Sequence, residues 1–366
     1  MKIKLEGSPE VIISNPHSHH AYFAWPTVAK LQNGRLAVVA SGFRLRHVCP
    51  FGKTVIAFSE DEGKTYTLPA PVIDTPLDDR DGGITPFGKS SVVVTSFNNM
   101  RAFQKMRNET AADRDYVYSY LDTVTDEEEE KYLGTLFRIS HDCGVTFGEI
   151  HKSPVTSPHG PLELKNGKLV WVGRTFSPTN VYMENDCIAA YEMSADGTMT
   201  YLGSVENIYD QGERLMLCEP DTFELEDGTL LCHIRAQRPK TSKLPRVFTT
   251  YQSISRDGGR TWSTPVHLLS DMKGGAPAHI MRHSSGVLIS VYGYRQAPFG
   301  VKVMFSHDDG QSWSTGHDLY INNQSSDLGY PSTVELSDGS LLTVFYARER
   351  ADGPAVIMQQ KWRIEE

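Results

Sequence analysis

What this chain has little of narrows its possibilities at once. Its five cysteines, Cys49, Cys143, Cys187, Cys218 and Cys232, are odd in number and stand in no Cys-x-x-Cys or other zinc-type spacing. Neither a disulfide framework nor a cysteine metal site is expected, only reduced thiols in buried or half-buried places. No apolar run approaches the roughly 20 residues of a membrane helix, so no membrane partner is expected. The opening Met1-Lys2-Ile3-Lys4-Leu5-Glu6 lacks the apolar core of a secretory signal and soon meets Pro9, which leads to the expectation of a cytoplasmic protein. Basic charge is not in excess either. Lys and Arg number 36 against 45 Asp and Glu, a net charge of −9, and no basic run or aromatic-basic platform offers a nucleic acid a binding face. The run His17-Ser18-His19-His20 has no matching carboxylate or cysteine pattern, so neither metal nor cofactor is expected.

What is present is a repeat. Ser255-Arg256-Asp257-Gly258-Gly259-Arg260-Thr261-Trp262 recurs as Ser59-x-Asp61-x-Gly63-x-Thr65-Tyr66, Ser140-x-Asp142-x-Gly144-x-Thr146-Phe147 and Ser306-x-Asp308-x-Gly310-x-Ser312-Trp313, with a decayed copy from Ser194 to Tyr201. Short Ser and Asp side chains satisfy turn amides, glycine permits positive φ, and the aromatic packs back beneath the turn. A second periodic unit precedes each box: two β-rich runs joined at Gly34, Gly88, Gly167, Gly228, Gly286 and Gly339, each a hairpin. Six units of four strands predict an all-β, six-bladed β-propeller in which residues 1–366 form a single domain. Val11-Ile12-Ile13 is expected to join Ala355-Val356-Ile357-Met358 in the last sheet and leave no open edge. Residues 101–133 break the period in the second unit. They are rich in helix formers, carry the acidic run Asp126–Glu130, and predict a helical insertion placed as a lid or a subunit contact.

If the units are blades, equivalent positions form rings. Nine residues before each glycine stand Trp25, Asp79, Pro158, Glu219, Pro277 and Tyr330, and two further on stand Thr27, Asp81, Gly160, Asp221, His279 and Ser332. Polar residues concentrate where an apolar core strand would have none. On the returning strands Arg44, Arg46, Arg174, Arg235, Arg295 and Arg348 accumulate at the same end, which predicts a positive mouth in a net-acidic protein. Guanidinium forks suit a carboxylate, sulfate or phosphate.

The boxes resemble the Asp boxes of sialidases and related β-propellers, and the chain is identified as a divergent member of the sialidase superfamily. Glu219-Pro220, Leu225-Glu226-Asp227-Gly228-Thr229 and Arg235 look like the stretch that carries the catalytic glutamate and the second arginine of a carboxylate-binding triad. Gly329-Tyr330-Pro331-Ser332 looks like the stretch with the tyrosine nucleophile, and Arg295 falls near the third arginine. The resemblance implies a glycoside hydrolase that removes a terminal acidic sugar, sialic or uronic, from a glycan. Tyr330 would be the nucleophile, Glu219 its base, and Arg235 and Arg295 the anion clamp. Arg46, Arg174, His279 and Trp25 complete the expected substrate contacts. Three departures stand out. Ala24-Trp25-Pro26 occupies the place of the first arginine, Tyr346 that of its supporting glutamate, and the acid/base aspartate has no match in Arg44–Cys49, where His47 is the nearest titratable group. The acid is sought among Asp81, Asp79, His47 and His279. Two alternatives stay open: a lyase or other glycosidase on the same propeller, and a carbohydrate-binding propeller without turnover.

Overall fold

The computed structural model describes residues 1–175, 186–269, 274–322 and 324–365. Six antiparallel sheets form the blades of a β-propeller. In each, a strand beside the axis is followed outward by three more; in the third blade the inner strand is split into Val155–Thr156 and Leu162–Glu163. Runs such as Val92-Val93-Val94 are buried throughout, because a blade packs on neighbours at both faces and β-branched side chains suit that double burial. The core therefore lies between blades. Val172 and Ile188 of the third blade meet Cys232 and Ile234 of the fourth, for example. The ring closes as the sequence predicts: Lys2–Ile13 pairs with Ala355–Glu365, with Val11 opposite Met358 and Ile13 opposite Ile357.

The boxes join third to fourth strands. In the fourth blade, Ser255 Oγ accepts from Gly259 N at 2.8 Å and donates to Asp257 Oδ1 at 2.9 Å. Asp257 in turn accepts from Thr261 N at 2.8 Å and Thr261 Oγ1 at 2.6 Å. Gly259 has a φ of 95°, a conformation glycine adopts without cost. Ser255→Ala is expected to strand the Gly259 N–H and lower the unfolding free energy by about 1–3 kcal/mol, measured by urea titration, and to leave ligand binding at the far end of the blades unchanged. The second expectation follows from place, since the antiparallel strands put every box at the end of the blades opposite the polar pocket described below.

The insertion is helical: α1 (Arg101–Asn108), α2 (Arg114–Leu121) and α3 (Asp126–Tyr132). It leaves the second blade between its second and third strands and packs on the loop that follows Arg44, where Phe51 lies 5.0 Å from Tyr116 and 4.7 Å from Tyr120. Asn108 donates to Val48 O at 3.3 Å, and Gln104 to Asn99 O at 2.6 Å. The acidic run lies in α3, capped by Thr125 and Glu128 and bound by Arg101 through Asp126 and Glu129.

Candidate active site

At the end of the axis away from the boxes, five inner strands carry a bulge at the same place. The register slips between Ala24 and Thr27, Arg80 and Gly83, Cys218 and Asp221, Gly275 and Ala278, and Gly329 and Ser332. Four residues in these bulges are non-glycine with left-handed backbone: Trp25 (φ 55°), Asp81 (53°), Glu219 (51°) and Tyr330 (49°). Such conformations cost on the order of 1–3 kcal/mol each and persist where surrounding structure holds them. A bulge re-aims a side chain; here Asp81, Glu219 and Tyr330 line one cavity of about 310 Å³. The shared bulge also corrects one alignment. Asp81, not Asp79, is the ring-mate of Glu219 and Tyr330, because the second blade reaches Gly88 two residues sooner than its neighbours reach their glycines. Asp79 is instead buried, accepting from Thr75 N at 2.6 Å and Thr75 Oγ1 at 2.9 Å.

The centre of the pocket is a bonded trio. Tyr330 Oη donates to Glu219 Oε1 at 2.5 Å, Arg235 Nη1 binds Glu219 Oε2, and the same guanidinium nitrogen lies 3.4 Å from Tyr330 Oη. Burial would raise the Glu219 pKa, but Arg235, the Tyr330 hydroxyl and Arg295 outweigh it and hold the carboxyl below its ordinary value. Burial and then the Glu219 charge push the phenol well above 10, so Tyr330 is neutral at rest. Arg295 flanks the ring at 5.6 Å, fixed by Leu328 O at 2.9 Å and the Tyr346 hydroxyl at 3.1 Å. Asp81 faces the trio; its Oδ1 is buried, lies 3.9 Å from Arg80 Nε and, among the described residues, has no hydrogen-bond partner. Burial raises its pKa to about 7, Arg80 opposing and Glu219 adding to the shift.

Sequence reasoning missed two residues. Arg80 lines the pocket, spreads its guanidinium 4.2 Å over the Trp25 ring and donates to His47 Nε2 at 3.2 Å. It thus brings a third guanidinium to a site whose first-blade position holds Ala24. Asp327 is a hub in the loop before the strand Gly329–Glu335. It accepts from Tyr22 at 3.0 Å, Tyr346 at 3.2 Å and Arg348 at 2.9 Å, and its Oδ1 meets His47 Nδ1 at 3.2 Å. Burial would raise its pKa, yet His47 and Arg348 hold it far below the ordinary range. Tyr346 therefore links Arg295 to a carboxylate by way of its hydroxyl. No repeat position marked Asp327, while Arg80 stood in plain view among the aspartates of residues 78–81.

The other expected contacts divide. Arg174 lines the pocket, braced by Asp186 at 3.1 Å. His47 also lines it, 43% of its side chain accessible, with a pKa lowered by burial and by Arg80 against the pull of Asp327. An arginine only donates, so Nε2 is the acceptor and Nδ1–H points to Asp327, leaving no proton directed at the pocket. Trp25 is buried below the pocket floor between Arg80 and Arg44, whose cations stabilise its ring faces. Arg46 turns outward to Asn108 Oδ1 at 2.7 Å and to Asp113, tying the insertion down. His279 lies further along the axis, two residues past the bulge, in a second cavity of about 240 Å³ with its ring 5.1 Å from His159. Arg44 is spent on a buried ion pair with Asp78. In Arg46→Ala, trypsin is expected to cut at Lys105, Arg107 or Arg114 several-fold faster, because local opening sets the rate; limited proteolysis with mass mapping reads it.

These features define a class: a six-bladed Asp-box propeller with a cation-rich pocket on its axis. The chain belongs to the BNR repeat-like domain family, which matches residues 116–343. No curated protein matches it by sequence. Among solved structures it is similar to a protein of unknown function from Dyadobacter fermentans, at 19% identity over 99% of both chains with a TM-score of 0.76. It is also similar to the NanB sialidase of Streptococcus pneumoniae, at 13% identity over 97% of this chain and 70% of that one, TM-score 0.67. A third is the Penicillium chrysogenum α-L-arabinanase complexed with arabinobiose, at 13% identity over 96% of this chain and 98% of that one, TM-score 0.63. At these identities the likeness is one of fold.

Proposed function

We propose that the protein is a retaining glycoside hydrolase that removes a terminal acidic sugar from a glycan. The observation that carries this is the bonded trio of Tyr330, Glu219 and Arg235, open to a pocket that Asp81 shares. The neighbours include both a sialidase and an arabinanase. The guanidinium groups of Arg80, Arg235 and Arg295 favour a carboxylate-bearing sugar over a neutral one.

In this mechanism the sugar carboxylate binds Arg235 and Arg295. That draws positive charge away from Glu219 and raises its basicity as the substrate seats. Glu219 takes the phenolic proton while Tyr330 Oη attacks the anomeric carbon, and Asp81 gives its proton to the departing glycosidic oxygen. A neutral nucleophile avoids setting a second carboxylate against an anionic substrate. Asp81, now ionised, takes a proton from water that attacks the glycosyl-tyrosine, and Glu219 returns its proton to the phenolate oxygen. Both groups end as they began.

Release of the reporter phenol from aryl glycosides of sialic and uronic acids tests the proposal. Sugar binding without turnover of any acidic glycoside would refute it and leave a binding propeller. New absorbance from an unsaturated uronate would point instead to a lyase.

A further inference from the structure

The pocket holds more positive charge than one carboxylate can use. Around the trio, Arg235 is engaged by Glu219 and Gln237, and Arg295 by Leu328 and Tyr346. These, with Arg80, suffice for a single anion. Two further cations line the outer part of the same cavity, Arg107 from α1 and Lys240 from the loop after the strand Leu230–Gln237. Both are exposed, and among the described residues neither has a hydrogen-bond or ion-pair partner. That is unusual in a protein of net charge −9, where most other basic groups near the mouth are matched: Arg44 by Asp78, Arg46 by Asp113, Arg174 by Asp186, Arg348 by Asp327.

Their placement is also built. On α1, Gln104 and Asn108 are buried and bonded toward the propeller, while Phe103 and Arg107, four residues apart on the next face, both line the pocket. The insertion, itself anchored through Arg46, thus presents an aromatic ring and a free guanidinium beyond the reacting centre. An aromatic face packs on a sugar ring, and an unpaired guanidinium beside it selects an anionic substituent.

We infer that the substrate is at least doubly anionic. The trio's arginines hold the acidic sugar to be cleaved, and Phe103, Arg107 and Lys240 hold a second anionic group on the neighbouring residue. This rests on the glycosidase proposal for which sugar is cleaved, but charge selection is read by binding alone. The test is calorimetry with Tyr330→Phe protein, so that ligands survive. The single-charge ligands are the methyl glycosides of sialic and glucuronic acids. The second charge comes in one arm from an adjoining acidic residue (disialic and digalacturonic acids) and in the other from a sulfate ester on a neutral neighbour (sulfated sialyllactose).

Two-charge ligands are expected to bind at least about tenfold more tightly. In Arg107→Ala/Lys240→Ala that preference falls to near unity, while single-charge binding moves less than about twofold, and raised salt erodes the preference. The arm that shows the gain identifies the source of the second charge. Equal binding of one- and two-charge ligands, a preference that survives the double substitution, or no binding of either overturns the inference. Failure of the glycosidase proposal is a separate result: no acidic glycoside turned over by the unaltered protein, whatever the charge preference.

Discussion

Tyr330→Phe is expected to lower kcat on aryl glycosides of the acidic sugar at least about a thousandfold, the scale seen when a covalent nucleophile is removed, while binding of the sugar changes by less than about threefold. The substitution is clean because it removes one oxygen. The ring of Tyr330 packs 6.4 Å from Trp25 and 6.0 Å from Tyr346, contacts that phenylalanine keeps. The bulge that gives it a φ of 49° is set by the inner strand's register against Leu341–Arg348, which does not involve the hydroxyl. Glu219 loses its donor at 2.5 Å but keeps Arg235, so no buried carboxylate is left unpaired. A melting temperature within a few degrees of the parent's confirms that only chemistry was removed. In the parent, rapid quenching followed by mass spectrometry is expected to trap a glycosyl adduct on the peptide that contains Tyr330. Retention of more than a tenth of kcat in the phenylalanine variant would show that another group attacks the sugar.

The same tyrosine shows how far the sequence alone reaches. Boxes and glycine turns are local chemistry, repeated, and they set the blades in register. With that register, Tyr330, Glu219 and Arg235 fall into one place although 95 and 111 residues separate two of the pairs. Periodicity loses its hold where a blade departs from the repeat. The short second blade displaced Asp81 by two positions, and nothing in spacing alone distinguishes a shorter hairpin from a shifted strand. Asp327 sits in a connecting loop, whose path is decided by packing and not by periodicity. Periodicity puts Arg46 at the mouth, but its partners, Asn108 and Asp113, belong to an insertion that no repeat places. Trp25 shares the ring position of Glu219 and Tyr330, yet it packs below the floor with Arg80 and Arg44 over its ring.

Asp81→Asn should have an effect that depends on the leaving group, and this separates a general acid from a residue that merely shapes the pocket. With an alkyl or sugar aglycone, whose oxygen must be protonated to depart, the loss in kcat/KM is expected to be about 10²- to 10⁴-fold. With 4-nitrophenol, which leaves as a stable phenoxide, it is expected to stay within about tenfold. The pH profile gives a second signature. A general acid works in its protonated form, and burial raises Asp81 to about 7, so kcat/KM of the parent should hold below that value and fall tenfold per pH unit above it. In Asp81→Asn the alkaline limb should vanish. A bound sugar carboxylate adds negative charge near Asp81 and raises its pKa further, so the limb in kcat should lie at higher pH than the limb in kcat/KM. His47 as the acid would also give an alkaline limb but at lower pH, since its pKa lies below 6.5, and its Nε2 would first have to release Arg80. An alkaline limb below pH 6.5 that survives Asp81→Asn and disappears in His47→Gln would therefore transfer the proton-donating role to His47 and leave Asp81 as the wall beside it.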